Sequence, residues 1–188
     1  EETLTDFYIL QFTEEEKPSL GLIDHEYVKH LLESYALSVT HLNNYLDCPL
    51  KFYFQNLIQV PSGKSDTLTF GSAVHWALNK LFRSLIDNNQ QFHGLPQFLA
   101  DFKWYMQRNR EAFTDEQYKR RLDYGDKILP EYYNKYIDTW EKITATEYAI
   151  KNVEMDGVPI KGVIDKLEFN GKQAKVVDYK TGSYDNAK

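Results

Sequence analysis

From Ile143 onward the chain changes its period. Apolar and polar residues alternate through ITATEYAIKNVEM, VPIKGVIDKLEF and KVVDYK, and these runs are separated by Asp156-Gly157 and Asn170-Gly171. Successive side chains on a strand point to opposite faces, so a period of two predicts strands with one face turned inward. Asp-Gly and Asn-Gly readily take the positive φ angles of a tight hairpin turn. Three strands joined this way form an antiparallel meander. Everything before Ile143 reads as helical, so the expected fold class is α+β, a helical block packed on a three-stranded antiparallel meander.

The meander also carries charge where strands rarely tolerate it. Asp165 sits inside the apolar run VID, and Asp178 lies near the end of VVD. Aspartate is depleted in strands, and burying a carboxylate without a partner is costly. Lys180 follows Asp178 by two residues, so the two share a strand face while Tyr179 points the other way. Two carboxylates on adjacent strands suit a hard divalent cation, and a neighbouring ammonium suits an anionic phosphate or the water that attacks it. Two blander readings stay open here. Lys180 can neutralise an aspartate in a structural ion pair, and two carboxylates can serve as a general acid–base pair.

The helical part is legible from caps and stripes. Asp24 caps a helix through about Tyr35, and Ser38 caps a short one ending near Asp47. Pro49 permits a new start. Pro61 to Thr69 reads as a polar loop, after which Gly71 opens GSAVHWALNKLFRSLI, with Val74, Leu78, Leu81, Phe82 and Leu85 at helical spacing. His75 sits one residue from that stripe. Pro96 starts another helix, through about Arg110. Thr114 with Gln117 forms a capping box opening a long helix to about Trp140, in which Pro130 marks a kink or break. Lys119, Arg120 and Arg121 read as a solvated face or, more sharply, as a phosphate contact. Residues 1–22 are irregular, with FYILQF as a short strand at most.

Composition narrows the chemistry. The 188 residues include 14 tyrosines and 11 phenylalanines, enough for a sizeable core. A single cysteine, Cys48, rules out an internal disulfide and any four-cysteine metal site built from this chain alone. No apolar run approaches the ~20 residues of a membrane span, and no secretory signal opens the chain. A cytoplasmic setting is the expectation. Net charge is −6, but residues 1–36 hold nine acidic residues against Lys17 and Lys29, a net of −7 that leaves +1 for the rest. A neutral body binds nucleic acid through a local groove and a metal, not through long-range attraction. GxSxG, P-loop and GxGxxG motifs are absent, and His25, His30, His41 and His93 lack zinc-ligand spacing.

In order, LSVTHLNNYLDCPLKFYF, FGSAVHWALNKLF, KGVIDKLE and VVDYKTG resemble the motifs of the RecB-type nuclease domain of the PD-(D/E)XK superfamily. The resemblance is strongest to the C-terminal nuclease domain of AddB-like helicase–nuclease subunits, and it runs from about Leu37 to Gly182. It implies a partial restriction-endonuclease-like core. His75, Asp165, Asp178 and the Tyr179 backbone carbonyl would hold Mg2+ or Mn2+. Lys180, Asp178 and Asp165 would be catalytic. Glu147 would reach the metal through water, or else partner a core cation. The implied partners are DNA and a helicase module in the same polypeptide or complex, with no membrane. The implied role is DNA cleavage, as an exonuclease, in end processing and recombinational repair. A noncatalytic DNA-binding or scaffolding domain that keeps the nuclease fold is the alternative. Such domains often carry an iron–sulfur cluster on four cysteines, and with Cys48 alone none is expected. They also place a helix and a strand after the lysine motif, whereas this sequence stops at Lys188. The expected layout is therefore an acidic leader with one helix over 1–36 and a nuclease domain over 37–188 that lacks its last helix and strand.

Overall fold

The computed structural model describes residues 24–182. The chain divides into two units, Glu1–Tyr35 and Ala36–Lys188. Within the first, α1 (His25–Glu33) is capped by Asp24, whose carboxylate accepts the backbone N–H groups of Glu26 and Tyr27 at 3.0 and 3.1 Å. The strand expected at FYILQF lies outside the described residues.

The second unit opens with α2 (Val39–Asp47), capped by Ser38, and α3 (Pro49–Phe52), which runs into a π-helical turn over Tyr53–Leu57. Three longer helices follow: α4 (Asp66–Asp87), α5 (Leu95–Arg108) and α6 (Asp115–Tyr136). They enclose the core. Phe70, Val74, Leu78, Leu81, Phe82 and Leu85 of α4 pack against Phe98, Phe102 and Met106 of α5 and Leu129 of α6. The capping box is present, with the Thr114 hydroxyl accepting the Gln117 N–H and the Gln117 side chain accepting the Thr114 N–H.

Two helix expectations are corrected. α4 begins at Asp66, so Asp66 to Thr69 is helix and not loop. Ser65 is extended, and Asp66 sits in the first turn, where a carboxylate complements the helix dipole. Arg121 of α6 then grips Asp66 at 2.9 and 3.1 Å and the Thr67 hydroxyl at 2.7 Å. This hydrogen bond holds the Asp66 carboxyl below the usual carboxylate range. Arg121 is thereby committed to tying two helices together. The second correction concerns Pro130, which does not break α6. Leu129 is buried and Tyr132 and Tyr133 pack on the core beside it, so packing outweighs the hydrogen bond that proline removes. Asp126 is exposed, which lets its freed carbonyl turn to water.

A buried glycine sets the spacing of α5 and α6. A Cβ on Gly125 would lie 2.4 Å from Cζ of Phe102, a ring with no exposed surface. Alanine gains up to about 1 kcal/mol over glycine in a helix, but overpacking a core costs about 1–3 kcal/mol. Gly125→Ala is expected to lower stability by about 1–2 kcal/mol, read as an earlier urea midpoint; an unchanged or later midpoint contradicts this packing.

The sheet is a meander in the order β1-β2-β3, antiparallel throughout: β1 (Thr144–Met155), β2 (Val158–Asn170) and β3 (Gln173–Val177). Asp156 and Gly157 form the first turn at φ +51° and +78°. The second turn is shifted by one residue: Asn170 pairs with Gln173, so Gly171 and Lys172 make the turn. β3 is shorter than KVVDYK suggests. Its last ladder pair is Val177 with Lys166, because the Tyr179 N–H goes to the Asp165 side chain at 2.8 Å instead of to the backbone of β2. Among the described residues no helix is long and apolar enough to cross a membrane.

Candidate active site

Gly71, His75 and Asn79 recur every four residues, so they share one face of α4. The segment after β3 crosses that face. Thr181 Oγ1 would lie 3.0 Å from a Cβ on Gly71, so the missing side chain admits the loop. One turn further along, His75 Nε2 is 2.9 Å from the Tyr179 carbonyl oxygen. Another turn on, the Thr146 hydroxyl of β1 donates to Asn79 Oδ1 at 2.8 Å. The helix thus meets both the loop and the sheet through a single stripe.

Asp165 of β2 closes the arrangement. Its Oδ1 is 3.3 Å from His75 Nδ1, and its Oδ2 accepts the Tyr179 N–H. Tyr179 anchors this geometry from below. Its ring packs on the helical core and edge-on to His75, with centroids 5.8 Å apart. Burial pushes its phenol above the ordinary tyrosine range. A ring sunk in the core leaves only the backbone of Tyr179 to face His75 and Asp165.

Beside Tyr179, Asp178 and Lys180 point outward together, as two residues on one strand face should. Lys180 Nζ is 2.8 Å from Asp178 Oδ2, with the side chains 71% and 58% exposed. The hydrogen bond from Asp178 holds the Lys180 ammonium above the ordinary lysine value. The structure therefore brings together His75, Asp165 and the Tyr179 carbonyl, and pairs Asp178 with Lys180 at the rim. Glu147 lies across the β1–β2 ladder from Asp165, between the pairs Thr146–Lys166 and Tyr148–Ile164. Its φ is +51°, a strained conformation for a residue with a Cβ, and it lines the same groove as His75, Asp165 and Lys180.

Both nitrogens of His75 face acceptors, Asp165 Oδ1 and the Tyr179 carbonyl. A neutral imidazole has a single N–H, so one of these contacts sets lone pair against lone pair. A cation removes that conflict, and a ring nitrogen, a carboxylate and a carbonyl are donors that divalent metals accept. The donor set fits a metal through one histidine, one carboxylate and one backbone oxygen. Among the described residues no three His, Cys, Asp or Glu side chains are grouped closely enough to hold one without the backbone.

Three contributors escaped the sequence reading. Gly71 and Asn79 carried a usable signal, the four-residue spacing around His75. The third is a buried pair beneath the site: Lys166 Nζ is 2.7 Å from Glu168 Oε1 and 3.8 Å from the centroid of Phe82. Burial pushes the Lys166 ammonium below the ordinary lysine value.

Comparison with known proteins bears on the same residues. A family model described as PD-(D/E)XK nuclease superfamily matches residues 36–188. An ATP-dependent helicase/deoxyribonuclease of Carboxydothermus hydrogenoformans is 25% identical over 192 residues. That match takes in 82% of this chain but spans only 17% of the relative's length. No solved structure matches the chain. The matched span holds the mixed helical and three-stranded antiparallel architecture and every residue of the site, and by that match the chain belongs to the PD-(D/E)XK nuclease superfamily.

Proposed function

We propose that this chain hydrolyses DNA phosphodiesters with Mg2+ or Mn2+, as the exonuclease module of a helicase–nuclease that processes DNA ends in recombinational repair. The observation that carries the reading is the convergence of His75, Asp165 and the Tyr179 carbonyl on a groove rimmed by Lys180. The name of the relative, which joins a helicase to a deoxyribonuclease, supports the helicase partner.

His75, Asp165 and the Tyr179 carbonyl would hold the metal, joined by Asp178. When bound, the cation polarises the phosphate and makes its water a better nucleophile. The protein's own contribution is positional. The Tyr179 N–H fixes one oxygen of Asp165, so that carboxylate does not have to reorganise during the reaction. Lys180 orients the attacking water and offsets charge that builds on the scissile phosphate, while Asp178 keeps its ammonium at the rim. Glu147 is placed to accept a hydrogen bond from water in the groove.

A noncatalytic DNA-binding domain is the second reading. It is favoured by the pairing of Asp178 with Lys180, at 2.8 Å, in place of a turn toward Asp165. Cleavage of end-labelled single- and double-stranded DNA separates the two. The nuclease reading expects cleavage in Mg2+, its loss in a chelator and its return with Mn2+. Asp165→Asn is expected to abolish cleavage without abolishing DNA binding. Undiminished cleavage by Asp165→Asn would sink the proposed ligand set. DNA binding by the wild type without cleavage in either metal would favour the second reading.

A further inference from the structure

Two indole rings stand beside the candidate site. Trp76 follows His75 on α4 and lines the same groove, of about 680 Å3. Trp104 approaches from α5. The rings stack with centroids 5.5 Å apart and planes 21° from parallel, and Trp104 is 50% exposed. Neither belongs to the buried core cluster. Lys80 Nζ sits 4.9 Å from the Trp76 centroid, and the Arg108 guanidinium sits 5.6 Å from that of Trp104. Each cation lies one helical turn beyond the ring it covers. On the other side of Lys180 a second groove, of about 740 Å3, is lined by Lys151 and Lys161. The two grooves share Val163 and Lys180.

We propose that Trp76 and Trp104 form a stacking platform for unpaired bases of single-stranded DNA whose phosphate chain crosses Lys180. The position of the cleaved bond rests on the nuclease reading; the platform itself does not. Every base offers a π face, so stacking on an indole holds a strand without reading its sequence. A duplex keeps those faces inside its own stack and shows the protein mainly phosphates. The outer face of Trp104 is covered by the exposed guanidinium of Arg108, which can swing onto a phosphate as a base takes its place. Lysines along the second groove continue a cationic path for the backbone.

Binding of the full chain, without divalent metal, to a labelled oligothymidine and to an abasic oligonucleotide of equal length isolates the bases from the phosphates. The wild type is expected to bind the base-bearing strand about tenfold more tightly, the scale of one base–aromatic stack. Trp104→Ala is expected to lose that preference and bind both strands at the abasic level. Trp104→Phe keeps a π face and retains most of the preference, while far-UV circular dichroism of both variants matches the wild type. Three outcomes overturn the proposal: equal binding of both strands by the wild type, an unchanged preference in Trp104→Ala, or a parallel loss for both strands in that variant. The last would make Trp104 a general structural or protein-contacting residue. A cleavage assay of Lys180→Ala is read separately, so failure of the nuclease reading leaves the stacking result interpretable.

Discussion

Lys180→Ala is expected to lower the DNA cleavage rate by about a hundredfold to a thousandfold, the usual cost of removing one group aimed at charge developing in a transition state. The fold should not notice. Lys180 is 71% exposed and its ion pair is with Asp178, itself 58% exposed. An exposed pair of this kind contributes about 0–1 kcal/mol. The loss should therefore appear in kcat under saturating DNA, with the urea midpoint close to that of the wild type. Lys180→Arg keeps the charge but not its compact shape, and should recover part of the rate. Unchanged kcat in Lys180→Ala would remove the lysine from the mechanism and leave it as the partner of Asp178.

The largest stability effect is expected one residue beyond Asp165. Lys166 and Glu168 are 1% and 6% exposed, and their contact is 2.7 Å. Phe82, Trp140 and Tyr179 surround the ammonium at 3.8, 5.8 and 5.6 Å from their ring centroids. Lys166→Met removes the charge and leaves Glu168 in the interior with Lys175 at 3.5 Å, from an exposed position, as its remaining partner. Breaking a buried pair in this way costs about 3–5 kcal/mol, a large share of the roughly 5–15 kcal/mol that a domain has in total. Replacing both members with apolar residues, Lys166→Met with Glu168→Leu, should recover most of the loss, because no uncompensated charge remains. Urea unfolding of the single and double variants tests the pair. A single-variant loss below about 1 kcal/mol, or a double variant no better than the single, would show that the two charges are not mutually dependent. Because Tyr179 packs against the same ammonium, the single variant should also loosen the backbone that faces His75.

Features that depend on a few neighbouring residues were legible in advance. Asp24, Ser38 and the Thr114–Gln117 box cap the helices that their hydrogen bonds favour. The alternation in β1 and β2 and the Asp156-Gly157 turn define the first hairpin and its pairing. The buried stripe of α4, Val74 to Leu85, follows from a period of 3.6 residues. Asp165 stood out because a strand has little reason to keep a carboxylate. Errors arose where a contact distant in sequence overrode a local rule. Arg121 lies 55 residues from Asp66, and its grip accompanies a helix start ahead of Gly71. Core packing on both sides of Pro130 carries α6 through it. The Asp165 side chain takes the N–H that would have continued β3.

Local stereochemistry, then, made the meander, the caps and the identity of the residues fit for metal and phosphate readable from the chain alone. Tertiary structure decided which of them meet. It set His75 and Asp165 around the backbone of Tyr179, across 104 and 14 residues of sequence, and turned Asp178 to Lys180 at the rim. It also buried Lys166 with Glu168 under three aromatic rings and stacked Trp76 on Trp104. Composition and periodicity report how each segment prefers to fold. Packing alone fixes which side chains of separate segments lie within a few ångströms of one another, and that separation governs ion pairing, stacking and metal binding.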